Sequence, residues 1–486
     1  MKTKKLYSGW IVAILFLFAF NNAKANSVTI TGISVSGNDV TFAISWENSW
    51  NTNLAPANWD AVWVFIKYQD CSTRLWAHAG LSTLATDHTA GSPLQVDSVT
   101  DGKGVFIRRS ALGSGNITNV TVTLKMTIPT GSYNYKVFGI EMVNVPQGAF
   151  DLGDGTSAST YNSISINAAT QSTGLIPSVI GGGSAAIPAT FPMGYNNFYS
   201  MKYEISQEQY VEFLNTLTYS QQKSRVLKDP IGIINTIAMY TFTSLVYRNA
   251  IVIATPGLNA ALPAVFGCNA LLNSTPNEVN DGQNIAMNFM SWGDLSAFLD
   301  WAALRPMTEM EFEKVCRGAS SRLTGEYPWG TTEIHNVNST NVVQPFTAFE
   351  YYGSVFNGNC VVGLSNTGGS YGPLRCGIFA TNSTGRVSSG AAYYGAMEMG
   401  GNLSEQVVTT STVEGTTFDG ILGDGTLTLN GDSNQANWPS SFTANGTGKK
   451  GGNYNDANTL VRTSDRSGSS TVDPARSNKY GGRGVR

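Results

Sequence analysis

Hydrophobic and polar residues alternate with a period of two from Ser27 to about Val145. This spacing puts apolar side chains on one face of an extended chain and is typical of half-buried strands. Val40–Trp46 alternates clearly, whereas Ala61–Tyr68 is almost continuously apolar, as expected for a central strand covered on both faces. Because Gly, Asn, Asp and Pro separate the runs, we predict an antiparallel β-sandwich of immunoglobulin-like size over residues 26–138.

The pattern changes further along the chain. Residues 151–190 are rich in Gly, Ser and Thr and predict a long irregular insertion. Helical periodicity follows in Ser206–Leu217 and Ser291–Trp301, and a third helix is predicted from Thr308. The first two begin with a Ser that can cap them. We therefore predict a multidomain protein whose second domain, residues 139–486, contains a few helices and much irregular structure.

The N-terminus has the three parts of a secretory signal peptide. Lysines at positions 2, 4 and 5 precede an apolar run, Trp10–Phe20, and Ala23-Lys24-Ala25 offers small residues at a cleavage site. The apolar run is shorter than the roughly 20 residues that cross a bilayer, which argues against the alternative of an uncleaved anchor. We predict cleavage near Ala25 and export to the periplasm, the cell surface or the medium, with no transmembrane segment in the mature chain.

Composition limits the classes of function. Charged residues make up 13% of the 486 residues and the formal net charge is −3, so the chain has no electrostatic footprint for nucleic acid. The histidines show no metal-ligand spacing. Among five cysteines, Cys360 and Cys376 flank a loop rich in Gly, Ser and Asn and are the candidate disulfide. The N-terminal region has five tryptophans, Trp46, Trp50, Trp59, Trp63 and Trp76. We interpret most of them as core aromatics, and a sugar-binding platform is the alternative.

Five blocks in the second domain resemble the formylglycine-generating enzyme (sulfatase-modifying factor) family. In order they are Glu141–Gly153, Met201–Leu217, Trp301–Gly330, Tyr394–Glu405 and Lys450–Tyr454, the last continuing through Arg462, Asp465 and Arg466 to Gly482–Arg486. Any one block would be weak, but five in the family's order are specific. The resemblance implies an α+β domain related to the C-type lectin fold.

The resemblance also implies a calcium site in the block that contains Gly401-Asn402-Leu403-Ser404-Glu405. Carried over by position, Glu398 and Glu405 would supply carboxylates, and Gly401 and Leu403 would supply carbonyl oxygens, which suits the hard oxygen ligands that calcium prefers. The chain departs from the family at Glu398, where a shorter Asp or Asn is usual, and at Ser404, where the motif has Trp. The alternative is a metal-free loop in which Asn402 bonds backbone groups.

The family's oxidases place two copper-binding cysteines after Gly-Gly-Ser-Tyr, and the matching stretch here has Asp456 and Val461 instead. Copper is not expected, because Cu(I) is a soft ion and neither side chain replaces a thiolate. Iron bound through histidines, as in related sulfoxide synthases, is not expected either. Asp465 with Arg462 or Arg466 is interpreted as an internal ion pair, with a base held by a guanidinium as the alternative.

We therefore expect a non-catalytic protein that binds a ligand or takes part in surface assembly. The ligand, a glycan or an extended peptide, would lie in the family's substrate groove, with walls formed by Trp329, Tyr393, Tyr394, Tyr454 and Arg462. One alternative is an oxidase or oxygenase of this family acting on protein cysteine or a small thiol. Another is a structural surface subunit that self-associates. The sequence does not predict the oligomeric state.

Overall fold

A computed structural model describes residues 28–258, 261–364, 371–381 and 383–486. Within these ranges the protein is mostly β, with short helices and a β-rich N-terminal region. The predicted signal peptide at residues 1–25 lies outside the described residues. None of the helices in the described ranges is long and apolar enough to span a membrane.

The N-terminal region is built from strands, as the alternation predicted. They are β1 (Thr29–Ser36), β2 (Asp39–Asn51), β3 (Asp60–Asp70), β4 (Trp76–His78), β5 (Thr89–Ala90), β6 (Leu94–Ser98), β7 (Val105–Arg109), β8 (Gly113–Lys125) and β9 (Tyr133–Val145). A 3₁₀ helix at Ala85–Asp87 precedes β5.

The following region has shorter elements separated by long loops. Its strands are β10 (Phe150–Leu152), β11 (Ile164–Ile166), β12 (Phe198–Met201), β13 (Ile251–Thr255), β14 (Val265–Cys268), β15 (Arg305–Pro306), β16 (His335–Asn336), β17 (Val342–Val343), β18 (Tyr351–Tyr352), β19 (Asn359–Cys360), β20 (Ser404–Val408), β21 (Thr447–Lys450), β22 (Tyr480–Gly481) and β23 (Gly484–Val485). Its helices are α1 (Ala168–Thr173), α2 (Pro177–Ile180), α3 (Gln207–Leu214), α4 (Tyr219–Arg225), α5 (Trp292–Trp301), α6 (Glu309–Arg317) and α7 (Val413–Thr416), with 3₁₀ helices at Ser339–Asn341 and Asn458–Val461.

Two sheets enclose the N-terminal core. One is four-stranded in the order β1-β2-β8-β5, and its β2 turns Phe42 and Ile44 inward. The other contributes Val62 and Val64 from β3 to the same core. The alternate residues of β3, such as Trp63, enter a second core on the opposite face. This confirms the prediction that the apolar run is a central strand covered on both sides.

The second sheet continues into the following region. It has eight strands in the order β15-β23-β12-β9-β3-β7-β6, with β4 beside β3. Strand β9 contains both residue 138 and residue 139, between which the sequence placed a domain boundary. Beyond β9, β12 pairs with it through Ser200 opposite Val143, and the C-terminal β23 pairs with β12. The two regions therefore share one hydrogen-bonded sheet.

The three predicted helices are confirmed, and the two with a predicted cap start at it. Ser206, Ser291 and Thr308 cap α3, α5 and α6, and each forms a reciprocal capping box with the residue three positions on. Their apolar faces cover the sheet: Trp301 of α5 packs edge-on against Phe65 of β3, with ring centroids 5.1 Å apart. The helices therefore close the second core.

The segment at residues 151–190, predicted to be irregular, holds β10, β11, α1 and α2. It is packed on the domain, because Tyr161, Ile180 and Ile187 are buried in the second core. The expected disulfide is wrong: Cys360 and Cys376 are both free, buried thiols. Each donates to a main-chain carbonyl instead, Cys360 to Gly400 and Cys376 to Glu204.

Candidate functional site

The two positions that match the family's copper-binding cysteines are Asp456, in a turn, and Val461, the last residue of a 3₁₀ helix. Val461 is fully buried in an apolar cluster with Tyr327, Trp329, Cys360 and Val362. Because its side chain is an inert hydrocarbon packed against aromatic rings, this position offers no ligand and no nucleophile.

Asp456, at the other position, is held by its own turn. Its Oδ2 accepts hydrogen bonds from the main-chain nitrogen of Asn453 at 3.1 Å and from the Asn453 side chain at 2.6 Å. The thiol that lies near Val461, that of Cys360, is no substitute, because burial raises its pKa and Glu398 adds to the effect. Within the described ranges, no three His, Cys, Asp or Glu side chains converge in a way that could hold a metal ion.

The predicted calcium ligands do lie together in a buried turn. Glu398 and Glu405 each use one carboxylate oxygen: Glu398 Oε1 accepts from Gly377 N at 2.8 Å, and Glu405 Oε1 accepts from Arg483 Nε at 2.6 Å. The second oxygen of each carboxylate is buried without a hydrogen-bond partner among the described residues. Two unpartnered hard oxygens fit a calcium ion, although Arg483 already offsets part of the negative charge.

The backbone of this turn is fixed by a carboxylate that the sequence did not single out. Glu204 accepts from Leu403 N at 2.9 Å and from the Asn402 side-chain amide. Asn402 in turn accepts from Leu374 N at 2.8 Å, which is the backbone-bonding role given to it in the metal-free alternative. Gly401 has φ +78°, and a side chain there would meet Cys360 Sγ at 2.6 Å, so only glycine fits.

The five predicted groove residues do not form one groove. Trp329 is 1% exposed and stacks on Tyr327, and Tyr454 is fully buried with its ring against Tyr371 at 5.3 Å. Half-exposed Arg462 lies next to the Val461 cluster. The prediction is therefore wrong for Trp329 and Tyr454, because large aromatic side chains in a loop-rich domain supply much of its core.

The expected ion pair between Asp465 and its neighbouring arginines is also wrong. Asp465 accepts from the backbone and hydroxyl of Ser467, at 3.1 and 2.6 Å. Arg466 pairs with Glu309 instead, with Nε 2.7 Å from Oε2 and both side chains fully buried.

Tyr393 and Tyr394, the remaining predicted groove residues, line a different cavity, which we call the aromatic cleft. It has a volume of about 590 Å³ and lies between the end of β2, the loop after it and residues 380–397. Its walls include Trp50, Pro56, Lys202, Arg386, Tyr393 and Tyr394. The cleft therefore joins the N-terminal region to the second one.

Hydrogen bonds from the N-terminal region fix the aromatic wall. Trp50 donates from Nε1 to Asn58 Oδ1 at 3.1 Å, and its main-chain nitrogen donates to Asp60 at 2.8 Å. Asn58 also donates to the carbonyl of Tyr394 at 2.9 Å, across 336 residues of sequence. Gly395 lets the indole approach, because a Cβ there would be 2.9 Å from Trp50 Cζ2. The two aromatic walls are thus held at a fixed spacing.

Both cations at the cleft already have partners. Lys202 Nζ lies 3.0 Å from Glu141 and 3.9 Å from Asp60, and 5.0 Å from the centroid of the Trp50 ring. Burial opposes charge on Lys202, but Glu141 and Asp60 outweigh it and keep its pKa above the ordinary value. Burial in turn raises the pKa of Asp60 to about 6 although Lys202 opposes the shift. Arg386 donates to the carbonyls of Cys316 and Pro328 at 3.1 and 3.0 Å.

The sequence missed most of this cleft. The sequence left two interpretations for the five tryptophans, core residues or a sugar-binding platform. Trp46 and Trp63 are core residues, whereas Trp50 is partly exposed. Nothing local in the sequence connects Trp50 with Tyr393, because the contact depends on β9 and β12 placing the two regions side by side.

The family described as the sulfatase-modifying factor enzyme 1-like domain matches residues 135–486. A search of curated proteins found no match to the chain. Because the matched range covers more than half of the sequence, the chain belongs to the sulfatase-modifying factor family.

Proposed function

We propose that the protein is an exported, non-catalytic binding member of this family, and that the aromatic cleft holds a neutral glycan. In this proposal the signal peptide is removed near Ala25. The N-terminal sheets form an immunoglobulin-sized β-sandwich, and the second region follows the C-type lectin-like fold that the family resemblance implies.

One observation carries the non-catalytic part of the proposal. The residues at the positions of the family's thiolates are Asp456, tied to Asn453, and Val461, buried in an apolar cluster. Neither is a soft ligand, and copper-dependent oxidation needs two thiolates there. No contact in the site favours the alternative of an oxidase or oxygenase acting on a cysteine or a small thiol.

The chemistry of the aromatic cleft supports a neutral glycan as the ligand. Trp50 and Tyr393 are partly exposed, and their rings offer apolar surface for the C–H faces of sugar rings. Asn48, Thr52 and Thr381 offer amide and hydroxyl groups for sugar hydroxyls. Glu141 offsets the charge of Lys202, which leaves Arg386, held by main-chain carbonyls, as the cleft cation without a carboxylate partner among the described residues. Amide, hydroxyl and aromatic groups outnumber it, and they suit a neutral glycan.

The proposal includes a calcium ion bound by Glu398, Glu405 and the carbonyls of Gly401 and Leu403. When bound, calcium would draw the two unpartnered carboxylate oxygens together and brace the turn that follows the cleft residues. Adding EGTA to the purified protein should then lower the temperature of thermal unfolding, since a ligand of the folded state stabilises it. An unchanged unfolding temperature after complete chelation would rule the ion out.

The ligand is tested by titrating the purified full chain with neutral β-glucan, mannan and xylan fragments in a calorimeter. We expect saturable binding to at least one of them, weakened at least about tenfold in Trp50→Ala and in Tyr393→Ala. Trp76→Ala is the matched control, because Trp76 is also half-buried in the N-terminal region but lies outside the cleft. Absence of binding to all three, binding of acidic glycans alone, or equal affinity in Trp50→Ala would contradict the proposal.

A further inference from the structure

Arg386 lines the aromatic cleft, and its charge has no carboxylate partner among the described residues. Its Nη2 donates to the carbonyls of Cys316 and Pro328 at 3.1 and 3.0 Å, and its Nε is buried with no hydrogen-bond partner among the same residues. The other cation of the cleft, Lys202, pairs with Glu141 at 3.0 Å. Arg386 is therefore a charged donor that a ligand in the cleft can still engage.

The guanidinium is held in a fixed position beside Tyr393. Cys316 O accepts from the main-chain nitrogen of Tyr393 at 3.1 Å as well as from Arg386. The Arg386 Cζ lies 5.1 Å from the centroid of the Tyr393 ring, within the range of a cation–π contact. Gly330 leaves room for this packing, because a Cβ there would be 3.0 Å from Arg386 Nη2. A ligand therefore meets the charged group and the aromatic ring as one preorganised unit.

This anchoring works against a carboxylate ligand. A carboxylate binds arginine most strongly through two parallel N–H groups, and a guanidinium offers two such pairs, Nε with Nη2 and Nη1 with Nη2. Nη2 belongs to both pairs, and the carbonyls of Cys316 and Pro328 use its two hydrogens. The hydrogens on Nη1 suit a ligand that accepts through a single oxygen.

We propose that Arg386 makes the cleft select N-acetylated sugars among the neutral glycans, an inference that rests on the proposed function. The amide carbonyl of an N-acetyl group accepts through one oxygen and carries no net charge. A hydrogen bond from a guanidinium to this oxygen is charge-assisted, and it is therefore stronger than a hydrogen bond between two neutral groups. Arg386 thereby distinguishes the substituents that a sugar ring carries.

The apolar part of the same cleft suits the methyl group of an N-acetyl substituent. Ala380 and Ala391 line the cleft together with Tyr393, and apolar surface of the methyl group is removed from water when it packs against them. A hydroxyl in the same place has no apolar part. Its own hydrogen would face a cation and apolar walls without an acceptor, which costs free energy. A sugar without the N-acetyl group therefore binds more weakly.

Two trisaccharides test this inference by calorimetry with the full chain: β-1,4-linked N-acetylglucosamine and β-1,4-linked glucose, which differ only at C2 of each ring. We expect both to bind, the acetylated one at least about tenfold more tightly. Arg386→Met should bring the two affinities to within about twofold of each other. The matched control is Arg322→Met, at a partly exposed arginine that pairs with Asp151 outside the cleft, and it should keep the preference.

Equal affinity of the unaltered protein for the two trisaccharides would overturn the inference and leave the proposed function standing. An undiminished preference in Arg386→Met would also overturn it, because another residue would then select the N-acetyl group. Tighter binding of a β-1,4-linked glucuronate trisaccharide would show that Arg386 takes a carboxylate instead. Absence of binding to every neutral glycan fragment would remove the proposed function, and the inference with it.

Discussion

The core between the two N-terminal sheets and the loop-rich region behind them are stabilised by different interactions. In the sheets, residues such as Phe42 and Ile44 form an apolar core, and the ion pair of Asp39 with Lys125 is exposed. In the loop-rich region, Glu309 pairs with Arg466 and Glu313 with Arg317, all four side chains being fully buried. Where strands do not pair the backbone, buried charged side chains satisfy it instead.

Arg466 shows how such a side chain works. Besides Glu309, its guanidinium donates to the carbonyls of Gly182 at 2.6 Å and Ser159 at 3.2 Å and to the hydroxyl of Thr410 at 3.2 Å. One side chain therefore bonds four segments that are far apart in sequence or lie in different loops. Removing the Arg466 side chain should therefore lower the free energy of unfolding far more than removing one partner of an exposed ion pair in the sheets.

Arg466→Met should have the largest effect. Removing the cation leaves Glu309 charged and buried, so we expect the free energy of unfolding to fall by about 3–5 kcal/mol, measured by urea denaturation. In Lys125→Met, the matched change in an exposed pair, it should fall by at most about 1 kcal/mol. If the free energy of unfolding fell equally in the two variants, buried ion pairs would not stabilise the loop-rich region more than exposed pairs stabilise the sheets.

Ile44→Ala should have the next largest effect, and it tests the other side of the comparison. Ile44 is fully buried between the two sheets, so truncating it removes apolar contacts and leaves a cavity. We expect a loss of about 3 kcal/mol in the free energy of unfolding. The loss should be the same at pH 7 and pH 4, because no titratable group contacts this change. A loss that varies with pH would show that charged groups stabilise this core as well.

Acid should weaken the loop-rich region through Glu309. Burial raises the pKa of this carboxyl, but the Arg466 guanidinium outweighs burial and lowers it from 4.5 to about 2. A carboxyl with a depressed pKa stabilises the fold above pH 4.5, and this contribution is lost as the pH falls toward 2. The contribution of Glu309 to the free energy of unfolding should decrease by about 2 kcal/mol between pH 7 and pH 3.

The matched measurement for acid is the urea denaturation of Glu309→Gln over the same pH range. This variant should be less stable at pH 7 but should lose about 2 kcal/mol less between pH 7 and pH 3 than the unaltered protein does. An identical pH dependence would show that Glu309 is not the responsible group.

The same contrast explains what the sequence could predict. Period-two runs such as Val40–Trp46 and the capped helices at Ser206 and Ser291 are local patterns, and the structure has them where expected. The domain boundary is harder to read, because β9 belongs to a sheet whose other strands come from both regions. No local pattern shows that β12 and β23 will join it.

The site divides in the same way. The calcium site around Gly401 was predicted from residues close together in sequence, and Glu398, Leu403 and Glu405 are all buried. The groove was misjudged at Trp329 and Tyr454, because exposure of an aromatic ring depends on which distant loops cover it. Trp50 and Tyr393 line one cleft because Asn58 bonds both the Trp50 side chain and the carbonyl of Tyr394, a pair of contacts that a single sequence does not show.

The most direct test of the central claim is a turnover assay with the purified, full-length protein supplied with Cu(I), oxygen and a cysteine-containing sulfatase peptide. Mass spectrometry of the peptide should find no more formylglycine than in a control with Cu(I) alone, because Asp456 and Val461 provide no thiolate pair. Conversion of the peptide above that control, proportional to the amount of protein, would contradict the account.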